Sequence, residues 1–239
     1  MRNYFIFNSI DSRSLGVYIS GSGVYNAPER ALEFINVPGR NGALIGSEER
    51  FENVELTYPA FITPVGGTFR DRITKVRSTL LSVGSYARLT DSYNTDEFRQ
   101  AIFTGPLEVD PTDKLDAGQF ELTFNCKPQR WLTSGEQEGI HYVSGGDEYN
   151  PTKFPALPRV KVVGYGTFYI GSQAITVSDA YPYVVIDSEI GDCYYGTENV
   201  NSVISFGDGH YPVLTYGSNI ITFPATITEI DVLPRWWRI

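Results

Sequence analysis

The chain has only two histidines, His141 and His210, and two cysteines, Cys126 and Cys193. A histidine beside an acid can serve as a general base, but His210 falls in a G-D-G-H-Y-P turn and His141 in a stretch read as a linker. Both read as ordinary turn or surface residues, and no further His or Cys stands at metal-ligand spacing. Asp187 and Glu189 are two apart, so on a strand both would face the same side. Carboxylates that cleave glycosides flank a cleft instead, so this pair reads as a strand-end turn. Gly21–Gly23 and Gly164–Gly166 are isolated G-x-G fragments lacking the third glycine and following helix of a dinucleotide site. They read as turns that need positive φ. Asp91–Glu97 (D-S-Y-N-T-D-E) lacks the ligand spacing of a calcium loop and reads as a turn held by Asx-type bonds. The cysteines read as small buried hydrophobes; a single bridge between them stays open as an alternative. These observations predict no enzyme activity, no cofactor and no metal.

The elements that carry these residues read mostly as strands, because aromatics are abundant and Gly and Pro punctuate at short intervals. Period-2 alternation predicts strands at Asn53–Ile62 and Gln119–Cys126. In the first, Val54, Leu56, Tyr58, Ala60 and Ile62 face inward; in the second, Phe120, Leu122, Phe124 and Cys126 do. One helix is predicted from Phe69, Ile73, Val76, Leu80 and Val83, which share a stripe. Thr68 would cap it, Asp71 would lie in its first turn and Gly84 would end it. Its outer face carries Arg70, Arg72, Lys75 and Arg77 and reads as solvated, or as a salt-bridge surface between subunits.

A chain of 239 residues is long enough for one large domain or two small ones. Residues 134–158, with Gly135, Gly139, Gly145, Gly146, Pro151, Pro155 and Pro158, read as a linker between an amino-terminal domain (1–133) and a carboxy-terminal sandwich (159–239). Strands are expected there at Arg159–Val163, Phe168–Ile170, Ala174–Val177, Tyr181–Ile186, Tyr211–Thr215, Ile220–Phe223 and a last run to Val232. Trp131 closes the first half and Trp236 and Trp237 close the chain, so the last strand is expected to return to the domain junction. The net charge is −9. It is uneven: residues 1–133 carry −2 and residues 134–239 carry −7. An acidic carboxy-terminal half argues against nucleic-acid binding. No targeting segment or membrane-length apolar run is evident.

Several segments carry a resemblance. Residues 87–109 read A-R-L-T-D-S-Y-N-T-D-E-F-R-Q-A-I-F-T-G-P-L-E-V, followed by F-E-L-T-F-N-C-K-P-Q-R-W over 120–131. Earlier come F-N-S-I-D-S before Leu15-Gly16 and V-P-G-R-N-G over 37–42; later come Y-V-V-I-D-S-E, G-H-Y-P-V-L-T-Y-G-S-N-I-I and P-R-W-W-R-I. In order and spacing these resemble the distal tail protein of long, non-contractile-tailed bacteriophages. The signature residues are Asp91, Tyr93, Phe98, Arg99, Gly105, Cys126, Trp131, Trp236 and Trp237.

The resemblance implies a mainly β fold: a β-sandwich-like amino-terminal ring domain with one α-helix, and a galectin-like carboxy-terminal β-sandwich. It also implies a virion protein of the tail tip, made in the host cytoplasm. Its partners would be itself (a homo-hexameric ring, with back-to-back rings as a further form), the tail-tube protein and the tail-tip hub protein. Tape-measure protein or DNA would pass through the lumen without sequence-specific binding, and no membrane is involved. The chain departs from some members in having no room for a carbohydrate-binding insertion and no evident long arm. Two rival readings are a carbohydrate-binding module using surface aromatics such as Tyr194 and Tyr195, and a tail-tip hydrolase, for which no acid–base pair is found.

Overall fold

The computed structural model describes residues 2–64, 66–112, 117–137 and 140–239. It divides into two compact units, Met1–Arg130 with Ile239, and Trp131–Arg238. Gly139, one of the glycines of the expected linker, lies outside the described residues.

In the first unit, antiparallel pairing runs through Ile10–Asp11, Phe5–Phe7, Ala87–Asp91, Glu97–Phe103, Ala117–Leu132, Val54–Ile62 and Val17–Ile19. The alternation read in the sequence is realised: along Val54–Ile62 the odd partners Glu55, Thr57, Pro59 and Phe61 are turned out, while Val54, Leu56, Tyr58, Ala60 and Ile62 are buried. Phe124 sits at the centre of the core, its ring edge-on to those of Phe5, Phe7, Tyr58 and Phe103 at 5.2–6.2 Å between centroids.

The helix spans Phe69–Leu81 and buries Ile73, Val76 and Leu80 in that same core. Its start is a capping box. The Asp71 amide donates to Thr68 Oγ1 at 3.2 Å, and the Thr68 amide donates to Asp71 Oδ2 at 3.2 Å. Hydrogen bonds from Thr68 hold the Asp71 carboxyl below its usual range. Thr68→Ala is expected to cost about 1 kcal/mol, read as a lowered urea midpoint at unchanged slope. The basic face is narrower than the sequence suggests, because Arg72 is buried and donates to the Gly67 carbonyl at 2.9 Å. Its guanidinium lies 5.8 Å from the Phe69 ring centroid and finds a backbone acceptor, which a helical wheel cannot show.

A two-stranded hairpin, Arg30–Asn36 paired with Ala43–Phe51, stands apart from the sheet. Its cross-strand pairs include Phe34 opposite Ile45 and Ile35 opposite Leu44.

The second unit is a sandwich of antiparallel sheets. One follows Ile140–Tyr142, Ile227–Leu233, Arg159–Gly164, Tyr183–Asp187, Asp192–Tyr195 and Glu198–Asn199. The other follows Gly146–Asn150, Gly217–Thr222, Gly166–Ile170, Gln173–Val177 and Ile204–Phe206. Val160, Val162, Phe168, Ile170, Val184, Ile186, Ile221 and Ile230 share the core between them.

The stretch 134–158 is not a linker throughout. Ile140–Tyr142 pairs with Ile230–Val232, and Gly146–Asn150 pairs with Gly217–Ile221. The strands are short, and the glycines that suggested a loop serve packing: a Cβ on Gly146 would lie 2.2 Å from the Tyr142 ring. Conversely, Tyr211–Thr215 is not a strand and makes a single bridge, Leu214 to Ala156. Pro212 lacks a donor, and the Gln173 side chain takes a strand partner's place. Its amide nitrogen donates to the Val213 carbonyl at 2.7 Å, and its oxygen accepts from the Val213 amide at 2.9 Å.

Candidate interaction surfaces

Of the signature residues of the first unit, Asp91 and Tyr93 share one turn, and Phe98 and Arg99 lie on the strand that follows it. Asp91 ends its strand, and its Oδ1 accepts from the Tyr93 and Asn94 amides at 2.9 Å each, the Asx geometry read from the sequence. Its Oδ2 accepts from the Tyr58 hydroxyl at 2.6 Å. Burial, then the Asp91 charge, pushes the Tyr58 phenol well above its usual range. The Tyr93 hydroxyl donates to the Gly21 carbonyl at 3.1 Å, tying this turn to the G-x-G turn, where Gly21 and Gly23 have φ of +92° and +93°. Phe98 is buried beneath the Arg88 guanidinium, 3.8 Å from the ring centroid. Arg99 is buried, which holds its guanidinium below the usual range. Glu97, also buried, accepts from Arg130 at 3.1 Å. Gly105 has a φ of +66° before a cis Pro106, and Cys126 lies within the long strand Ala117–Leu132, buried in the core. One Asp91 oxygen holds the turn and the other ties it to Tyr58 on a core strand, so the residue shapes the domain.

The tryptophans divide differently. Trp131 is half-buried near the end of the long strand Ala117–Leu132. Trp236 belongs to the second core, and its carbonyl accepts from the Leu132 amide at 2.8 Å. Trp237 stacks on Phe154 at 4.5 Å, and its Nε1 donates to the Pro155 carbonyl at 2.8 Å. Both cysteines are free and buried, and burial raises each thiol to about 12.

Asp187 and Glu189 do not flank a cleft; both turn to Arg235. Arg235 Nη1 and Nη2 donate to the two Asp187 oxygens at 2.6 and 2.8 Å, and Glu189 Oε2 lies 3.2 Å from Nη1. Burial alone would raise the Asp187 carboxyl, but the hydrogen bonds and charge of Arg235 outweigh it and hold it below the usual range. His210 sits in the expected turn, its amide donating to Asp208 at 3.0 Å.

His141 belongs to a cluster that the sequence hides. Its Nδ1 lies 2.8 Å from Asp231 and 3.6 Å from Glu229, residues some ninety positions away that strand pairing brings alongside. Lys161 Nζ lies 3.3 Å from Asp231 and 3.7 Å from Glu229. Burial would raise the Asp231 carboxyl, but hydrogen bonds from His141 and Lys161 keep it below its usual range. The donor atoms of His141, Glu229 and Asp231 all lie within 4.8 Å of one another, a spacing that would suit a cation. The ammonium of Lys161 already answers both carboxylates, so a metal would have to compete with it.

The hairpin is the other surface. Phe34 and Ile45 are 63% and 64% exposed on one face, and Ile35 and Leu44 are 47% and 43% exposed on the other. Both faces therefore present cross-strand apolar pairs to solvent. A two-stranded ribbon with no hydrophobic backing is at best marginally stable in water.

No protein-family model and no curated protein sequence matches the chain. Among solved structures, the SPP1 Dit (gp 19.1) protein, described as a paradigm of the hub adsorption apparatus in phages infecting Gram-positive hosts, aligns over 100% of both chains. The identity is 11% and the TM-score 0.75. A chain of the phage P2 baseplate, solved in its activated conformation with calcium, aligns over 97% of both chains at 10% identity and a TM-score of 0.49. The mainly β architecture with its helix, and the resemblance drawn from the motifs, are thus borne out at the level of fold: this chain has the fold of the SPP1 Dit protein along its whole length.

Proposed function

We propose that this protein is a structural, non-enzymatic hub of a phage tail tip. Identical copies close into a hexameric ring that joins the tail tube to the tip apparatus and leaves a channel for DNA or the tape-measure protein. The observation that carries this reading is the whole-chain fold match to the SPP1 Dit protein. The hairpin supplies a means of self-assembly. Apolar pairs on both of its faces need cover, and a neighbouring copy is the occupant a closed ring provides at every position. A contact of this kind is heterologous, and it closes when the rotation per subunit divides the circle. The outer face of the first sheet exposes Glu55 and Glu121, with Glu108 and Asp110 beside it, a charge that would not retain a passing duplex.

Light scattering during size exclusion should give six copies of the 26.7 kDa chain, about 160 kDa, with holed rings in negative stain. The double substitution Phe34→Asp with Ile45→Lys should reduce the mass to one copy while leaving the core of the unit folded, because neither side chain belongs to that core and the new pair keeps opposite charges across the strands. A native monomer at all concentrations, alone and with a tail-tube protein, would end the ring reading. Rings that survive the double substitution would instead exclude the hairpin as the contact between copies.

A further inference from the structure

We propose that the outer face of the six-stranded sheet in the second unit is a binding groove for a neutral oligosaccharide. The inference stands apart from the ring reading, since it uses one face of one unit and would hold for a single copy.

The register aligns one row of side chains across the sheet. His141 is opposite Asp231, Asp231 is opposite Lys161, Lys161 is opposite Val185, and Val185 is opposite Tyr194. Five strands are crossed in four steps of about 4.8 Å, so the row extends roughly 19 Å, enough for several linked rings. Together with Arg159, Tyr183 and Leu233 it lines a groove of about 540 Å³, within the range of small-ligand sites.

The chemistry of the row selects the ligand. Arg159 and Lys161 are balanced by Glu229 and Asp231, so the groove has no net charge with which to hold a nucleic acid or a strongly basic peptide. It does offer acceptors (the two carboxylates) interleaved with donors (Lys161 and one His141 nitrogen) within a few ångströms, with Arg159 lining the same groove. Hydroxyls that both donate and accept are the natural complement of such an alternation. Beside these groups, the half-buried Tyr183 and Tyr194 rings with Val185 and Leu233 give an apolar floor. A pyranose presents the same two aspects, a hydroxyl edge and a C–H face. An extended peptide is a poorer fit: it would seek unpaired backbone at a sheet edge, whereas every strand under this row except the three-residue edge strand Ile140–Tyr142 is paired on both sides. All the groups lie on strands, which fixes their spacing before a ligand arrives.

The test uses the full chain and three neutral probes, maltotriose, a galactose trisaccharide and chitotriose, with mannitol as an open-chain polyol. Calorimetry and saturation-transfer NMR should show at least one trisaccharide binding with a millimolar dissociation constant, as suits an open groove, and no binding of mannitol. Asp231→Asn, which keeps shape, and His141→Ala, at an exposed position, should each weaken binding about tenfold or more. Tyr169→Ala, on the other sheet, should leave it unchanged. Absence of binding by all three trisaccharides at tens of millimolar would overturn the proposal. So would affinity that groove variants leave intact, or that Tyr169→Ala removes equally. Oligomeric mass measured on the same samples reports on the ring separately.

Discussion

Phe124→Ala is expected to remove about 3–5 kcal/mol from the stability of the first unit, a large share of the roughly 5–15 kcal/mol ordinary for a folded unit. The side chain is fully buried, and its ring edge meets four other aromatic rings. Those rings are carried by the strands Phe5–Phe7, Val54–Ile62 and Glu97–Phe103. Each is held by its own ladder, so none can move inward to fill the space, and the cavity term is added nearly in full to the lost burial and edge-to-face attraction. Urea unfolding followed by far-UV circular dichroism, with hydrogen exchange along Ala117–Leu132, measures it. A loss under about 1 kcal/mol would show that the core collapses around the gap and that its close packing has been overread.

The second large effect is expected at Asp187. Its side chain is 6% exposed and that of Arg235 18%. Asp187→Asn preserves shape but leaves the Arg235 charge with only the half-exposed Glu189 as an acid partner, at a cost of about 3 kcal/mol, the low end for a buried pair broken on one side. Arg235 also has a φ of +57°, unfavourable for a side chain of its type. The Asp187 bonds and the Arg235 amide bond to the Gly135 carbonyl at 2.9 Å offset that strain.

The pH dependence has a definite sign. The folded-state pKa of Asp187 is depressed. Its contribution is therefore complete above the unfolded value of about 3.9 and is lost as pH falls through the folded value. The native chain and Asp187→Asn should thus differ by about 3 kcal/mol at pH 7 and converge in acid, where Asp187 is itself neutral. All three tryptophans lie within Trp131–Arg238, so tryptophan emission follows the unit concerned. A gap that stays constant from pH 7 to below the folded pKa would refute the pairing as its source.

The parts legible in the sequence were those whose signals are local. The alternation at Val54–Ile62, the capping box at Thr68 and Asp71, and the Asx turn at Asp91 each depend on residues within a few positions of one another, and each appears as read. What escaped depends on distant partners. His141 looked isolated because Glu229 and Asp231 reach it only through pairing of the strand Ile140–Tyr142 with Ile227–Leu233. Asp187 does close its strand at a turn, as read, but its guanidinium partner, Arg235, lies 48 positions away and left no local signal. The Tyr211–Thr215 run was misjudged because a glutamine side chain can occupy a strand's place, which no alternation pattern records. The V-P-G-R-N-G segment proves to be the turn of the hairpin, but an apolar pattern alone cannot distinguish pairs that face a core from pairs that face solvent.

The two buried thiols also make this chain convenient to instrument. Held near 12 by burial, Cys126 and Cys193 stay protonated at neutral pH and lie out of reach of reagents. A maleimide dye should therefore ignore them and attach to one introduced cysteine, with no need to strip the native ones. Asn41→Cys, at the exposed tip of the hairpin, would put a reporter where emission colour distinguishes open water from a neighbour's surface. Assembly could then be timed in the cuvette on an otherwise native chain.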